Sequence, residues 1–189
     1  MLTATRRFTL EQGLGLRARL RQMRTEQKLK MLIYMTRSVD ENLSLEKRAN
    51  KARDVGADVF ISLHFNGYNK IVRGTETIIR SSDNVNPTQD TALANRVNAA
   101  VYGAISAADA KASNRGVKSQ GLGVLSDQYL GNTVAPYLTR AVLLETEFID
   151  VLAVDQLLNT GANAKQVRQS IINALGDAIL QDLRLNSPQ

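Results

Sequence analysis

The chain contains no cysteine, no tryptophan, three prolines and a single histidine, His64, in 189 residues. Without cysteine, neither a disulfide nor a thiolate metal site can form, so any metal would have to be held by imidazole and carboxylate groups. No apolar run reaches the roughly 20 residues that a membrane-spanning helix needs. The N-terminal stretch M-L-T-A-T-R-R-F-T-L-E-Q has charge but no apolar centre, so no signal peptide is expected. Aromatic residues make up only 5% of the chain, too few for the aromatic platforms that a single-strand nucleic-acid binder interleaves with its basic residues. Nucleic acid is therefore not expected as a partner. No repeat, low-complexity tract or linker divides the sequence, and its length suits one domain with a sizeable core.

What the chain does carry is positive charge, a formal +6 with a pI near 9.8. Such a balance points to an anionic partner: nucleic acid, a lipid surface or a cell-wall polymer. The basic residues concentrate between Arg6 and Arg53, where many also read as a solvated helix face.

Hydrophobic spacing predicts helices and strands in alternation. Leu10, Leu14, Leu16, Leu20 and Met23 form an imperfect helical stripe over Leu10–Gln27, with Thr9 as N-cap and Glu11 in the first turn, where the helix dipole favours a carboxylate. K-M-L-I-Y-M-T, from Lys30 to Thr36, reads as a short strand. A second helix opens at Asn42 or Ser44 and stops at Gly56. Strands are expected at Asp58–Asn66, Gly74–Arg80, Gly121–Leu125 and Ala141–Phe148. Helices are expected at Thr88–Ala108, Val151–Leu158 and Ala164–Leu183. Ser81–Pro87 and Asp127–Thr139 read as loops, and Asp109–Gln120 as irregular. This order predicts a single layered α/β domain with a mostly parallel, twisted sheet of about five strands flanked by helices.

Three places carry chemistry. D-V-F-I-S-L-H-F-N, Asp58–Asn66, is a strand with only Ser62 polar before it delivers His64 to the sheet rim, where open α/β folds place their ligands. A lone histidine there reads either as a satisfied structural residue or as a functional imidazole. Glu145 and Glu147 end the last strand and share a face if it stays regular. They are either solvated beyond the buried part, or paired or metal-bound within it. Glu11 is either a dipole-stabilising first-turn residue or a ligand.

Five stretches, in order, match one pattern: T-R-S-V-D-E-N-L-S-L-E-K-R-A-N from Thr36, A-D-V-F-I-S-L-H-F-N from Ala57, G-T-E-T-I-I from Gly74, N-R-G-V-K with G-V-L from Asn114 and Gly123, and V-L-L-E-T-E-F-I-D from Val142. Together they resemble the type 3 family of zinc-dependent N-acetylmuramoyl-L-alanine amidases, found among bacterial cell-wall enzymes and phage lysins. The resemblance implies a hydrolase acting on peptidoglycan, at the cell wall or in the periplasm, that cleaves the amide between N-acetylmuramic acid and L-alanine. It implies Zn²⁺ held by two histidines and a glutamate: His64 matches the second histidine and Glu11 the glutamate. Glu145 matches the catalytic glutamate, and Asn66 stands where a substrate contact is implied. The family opens with a strand ending in G-H-G-G that supplies the first histidine, whereas no His, Asp, Glu or Cys precedes Glu11 here. Residues 1–189 are thus expected to form one amidase-like domain that lacks that strand and ligand. Glu147 and Asp150 stand where the family has glycine and asparagine. The alternative implied is a degenerate module that binds the wall or a partner without cutting.

Overall fold

The structure is a computed structural model that describes residues 2–81, 83–133 and 138–186, with side chains from residue 7 onward. Ser82 and Pro136, in two of the expected loops, lie outside the described residues. Six α-helices and four strands follow in chain order: α1 (Leu2–Glu26), α2 (Leu45–Asp54), β1 (Val59–Asn66), β2 (Thr75–Arg80), α3 (Pro87–Ser106), β3 (Asn114–Gln120), α4 (Asp127–Leu130), β4 (Arg140–Phe148), α5 (Leu152–Asp155) and α6 (Ala164–Asn186). The α/β class is as the sequence predicts.

The sheet runs β1-β4-β2-β3. β1 and β4 are parallel, β2 and β3 are parallel, and the two pairs meet where β2 lies antiparallel to β4. The sheet is therefore mixed, with four strands rather than five. Two predicted strands are absent, for different reasons. Gly121–Leu125 holds a single 3₁₀ turn at Gly123–Leu125. Residues 30–36 are extended but find no strand to pair with among the described residues. One strand was not foreseen: β3 reads N-R-G-V-K-S-Q, without an apolar alternation, because it is a largely exposed edge strand.

α2 begins and ends as its sequence dictates. The Ser44 hydroxyl accepts from the Lys47 amide at its N-cap. At the other end Gly56 takes φ +60°, and the Gly56 and Ala57 amides return to the Arg53 and Ala52 carbonyls, closing the two orphan groups of the last turn. α1, by contrast, begins seven residues before Thr9, so Thr9 does not cap it.

Helices α1, α3 and α6 cover one face of the sheet, burying Leu16, Leu20, Leu93, Val97, Leu175 and Ile179 against Val142 and Leu144. α2 and α4 cover the other face with a smaller cluster built on Ala49, Ala52, Phe60, Ile78, Leu143 and Leu130. The layers are also joined by charge. Asp182 of α6, fully buried, accepts from Arg96 of α3 and Arg140 of β4, each at 2.7 Å. Removing it would strand two cations in or near the core.

Asp182→Ala is expected to lower unfolding free energy by about 3–5 kcal/mol in denaturant titration. Asp177→Ala, which removes a mostly exposed partner of Arg19, should cost no more than about 1 kcal/mol. Equal effects of the two would contradict this division.

Candidate active site

The strand ladder itself assembles the site. His64 on β1 is in register with Glu145 on β4, and Glu145 is in register with Glu76 on β2. Residues in register share a face, so these three side chains form one row across neighbouring strands, which lie about 4.8 Å apart. The period-two alternation puts the row on the face that carries Phe60, Leu143 and Ile78, where the apolar cluster under α2 ends and polar residues begin.

The three members differ sharply in their partners. Glu76 is buried and held by Arg115 Nε at 2.6 Å, Lys118 Nζ at 2.5 Å and Asn66 Nδ2 at 2.9 Å. Burial raises its pKa, but the hydrogen bonds from Lys118 and Arg115 and their charges outweigh that, so Glu76 lies below the ordinary carboxylate value. Glu145 has no such support. Its Oε2 is buried without a hydrogen-bond partner. Burial, and secondarily the Glu76 charge, push its pKa up to about 8. Two facing carboxyls are thus driven apart, one ionised by its cations and one protonated near neutrality, the arrangement that separates acid from base roles in enzymes.

His64 places Nε2 3.1 Å from Ser62 Oγ. Burial, reinforced by the positive charges of Arg48 and Arg37, lowers its pKa to about 4. The imidazole is therefore neutral across the physiological range.

Of the other sequence-derived candidates, Asn66 touches this row, whereas Glu11 and Glu147 pair elsewhere. Asn66 does not face open solvent with its amide; Nδ2 donates to Glu76, and Oδ1 accepts from the Gly67 amide. Glu11 is not in a first turn. It lies in the third turn of α1, where its carboxylate pairs with Arg7 at 2.9 Å. Glu147 is neither solvated nor paired with Glu145. One extra residue in β4 opposite His64–Asn66 breaks the alternation, so the two glutamates find different surroundings. Glu147 is 0% exposed, and its Oε2 accepts from the Gly74 and Phe148 amides at 2.7 and 2.9 Å. Gly74 has φ +130°, and a Cβ there would meet the Ser113 carbonyl at 2.8 Å, so glycine is required for this clasp. The like charge that perturbs Glu145 is Glu76, not Glu147.

Glu76, Arg115 and Lys118 escaped sequence reading. Their motifs, G-T-E-T and N-R-G-V-K, were visible, but only the β2–β3 and β2–β4 registers show that they converge on Glu145.

A family model described as N-acetylmuramoyl-L-alanine amidase matches residues 5–177. The chain belongs to that amidase family. Among solved structures, the catalytic domain of CwlV, an N-acetylmuramoyl-L-alanine amidase from Bacillus (Paenibacillus) polymyxa var. colistinus, is similar at TM-score 0.73 and 22% identity, over 96% of this chain and 86% of that one. An N-acetylmuramoyl-L-alanine amidase from Clostridium difficile 630 gives TM-score 0.75 at 19% identity, over 97% and 86%. The catalytic domain of the CD27L endolysin, which targets Clostridia difficile, gives 0.56 at 20%, over 88% and 79%. At these identities the likeness is one of fold. No functionally curated protein matches the chain.

The zinc site implied by the sequence resemblance can be tested on the donors present. Among the described residues, no three His, Cys, Asp or Glu side chains gather to hold a metal ion. One imidazole is hydrogen-bonded to Ser62, Glu11 is tied to Arg7, and Glu76 is neutralised by two cations. Glu145 Oε2 is a buried carboxylate oxygen without a partner, as is Asp150 Oδ1, but Asp150 Oδ2 is held by the Tyr68 and Lys70 amides. These residues alone do not fit a three-ligand zinc centre.

Because His64 is the sole histidine, its titration can be read without assignment. The imidazole carbon-bound proton signals are expected to shift with a midpoint near pH 4. The unfolded chain takes up that proton first, near pH 6.5, so stability should fall as pH drops from 6.5 towards 4. A midpoint at 6.5 would contradict the buried, cation-flanked environment.

Proposed function

We propose that this amidase-family chain hydrolyses the amide between N-acetylmuramic acid and L-alanine in peptidoglycan, with Glu145 as the proton-transfer group. The observation that carries this reading is the Glu145 carboxyl: half-buried within β4, its Oε2 buried and unpartnered, its pKa moved to about 8, beside a neutral imidazole. A structural carboxylate would be paired, as Glu147 and Asp182 are. In its ionised form Glu145 can accept a proton from the attacking water as the C–O bond forms. It can then return that proton to the alanine nitrogen as the C–N bond breaks. Burial, and secondarily the charge of Glu76 fixed by Arg115 and Lys118, keeps Glu145 basic enough for the first step. The net positive charge of the chain suits an anionic wall polymer. Zn²⁺, if bound, would acidify water and polarise the amide carbonyl. The resemblance assigns its ligands to His64 and Glu11, which here pair with Ser62 and Arg7, so no step is routed through it.

The lack of a three-donor group favours a second reading, a module that holds peptidoglycan without cutting it. No helix among the described residues is long and apolar enough to cross a membrane, which accords with either action at the wall.

Purified protein is expected to release new alanine amino termini from peptidoglycan. Glu145→Gln should lower the rate by about 10²–10⁴-fold while leaving wall sedimentation unchanged. The rate should rise with pH through about 8, since the base form is populated above the Glu145 pKa. Sedimentation with the wall and no new amino termini would establish the second reading, and full activity of Glu145→Gln would remove Glu145 from the mechanism.

A further inference from the structure

Arg115 and Lys118 each reach Glu76 with a single nitrogen. Both donate to the same oxygen, Oε2, Arg115 through Nε at 2.6 Å and Lys118 through Nζ at 2.5 Å, while Oε1 accepts from Asn66 Nδ2. The Glu76 side chain is only 6% exposed, whereas those of Arg115 and Lys118 are 32% and 35% exposed. One buried anion thus carries two cations that stay open to water, and one positive charge is left over. Arginine presents its donors as a planar fork. With Nε committed to Glu76, the two terminal nitrogens of Arg115 have no partner among the described residues. The guanidinium is nevertheless fixed. Its Cζ lies 5.2 Å from the centre of the Phe148 ring, and its stem lies against Gly74, where a Cβ would meet Arg115 Cγ at 2.7 Å. Lys118 is in register with Ile78, and Ile78 with Leu143, so Lys118 shares the face of the Glu145 row. β3 stands two strands from β4, and both side chains lean back to reach Glu76 on β2. The cationic pair therefore lies about 5–10 Å from Glu145 along the row.

We propose that the terminal nitrogens of Arg115, together with Lys118 Nζ, bind a carboxylate of the stem peptide on the residue that follows L-alanine, and so select walls in which that carboxylate is free over walls in which it is amidated. This specificity rests on the peptidoglycan reading above. The reach agrees with it: with the scissile amide at Glu145, a carboxylate one residue beyond alanine lies about 7 Å away, at about 3.6 Å of chain per residue. The chemistry agrees as well. The residue after L-alanine is a D-glutamate joined through its side-chain carboxyl, so its main-chain carboxyl branches off as an anion, or as a carboxamide where it is amidated. A guanidinium fork pairs with a carboxylate through two parallel hydrogen bonds. A carboxamide offers one acceptor oxygen and no charge, and its NH₂ group would meet further N–H donors. A purely structural role leaves the second cation unexplained, because one is enough to neutralise the single charge of Glu76. The fixed guanidinium also loses little freedom when a ligand binds.

The test compares two soluble wall fragments, muramoyl-L-alanyl-D-glutamate and its carboxamide counterpart muramoyl-L-alanyl-D-isoglutamine, titrated by calorimetry into the full chain carrying Glu145→Gln so that neither is cut. The free carboxylate is expected to bind about tenfold or more tighter than the carboxamide. Adding Arg115→Lys, which keeps a cation for Glu76 but has no fork, should reduce that difference to about threefold or less, and Arg115→Gln should do the same. Structural damage alone would weaken both fragments alike and leave their ratio unchanged. Equal affinity for the two fragments, or a ratio unaltered by Arg115→Lys, would overturn this proposal and leave the peptidoglycan reading standing. Failure of either fragment to bind at millimolar concentration would overturn both.

Discussion

The buried oxygen of Glu145 that no donor satisfies is the constraint on which the site depends. An unpaired polar atom in a low-dielectric setting is costly, and for a carboxyl the cost is relieved by retaining the proton. That is why its pKa sits near 8 although Lys118 and Arg115 lie two strands away, on β3. Those cations are spent on Glu76. The sheet register, which places Glu76 beside Glu145, therefore provides charge neutralisation to one carboxyl and withholds it from the other. The unfolded chain releases the Glu145 proton near pH 4.5 and the folded chain near 8, so this site erodes folding stability as pH rises through that window. A group that lowers stability near neutrality, without a structural partner, is the kind that a site retains for chemistry.

The rest of the molecule handles buried charge differently. Asp182 binds two arginines from two other elements and ties α6 to α3 and β4. Glu147 takes two main-chain amides and stands beside Arg73, fastening the end of β4 to the start of β2. Both sit at 0% exposure with their demand for hydrogen bonds met. These paired groups give the rigidity that holds His64, Glu145 and Glu76 in one row, since any slip of β4 against β2 would separate the two carboxyls.

Much of this was legible in the sequence because it depends on local pattern. The apolar run ending at His64, the Ser44 cap, the Gly56 stop and the stripe of α6 are short-range signals, and the structure has each of them. Motif order also led to the amidase family, which the match over residues 5–177 shows. What could not be read is non-local. Lys30–Thr36 has a strand's alternation, but a ladder needs a neighbour, and periodicity carries no information about one. β3 is polar because an exposed edge strand need not alternate. Glu147, which the sequence leaves either solvated or paired, gains a buried berth only through the bulge in β4 and the close approach of Gly74. Glu76 sits in a motif that was recognised, yet its effect on Glu145 arises only from strand pairing.

The central claim is that Glu145 is a carboxyl held protonated near neutrality in the folded chain. The direct measurement is a carbon-13 titration of side-chain carboxyls in glutamate-labelled protein, with the Glu145 signal identified by its loss in Glu145→Gln. The account predicts an inflection near pH 8. An inflection at or below 4.5, the ordinary value for glutamate, would show that the oxygen is satisfied and would contradict the account.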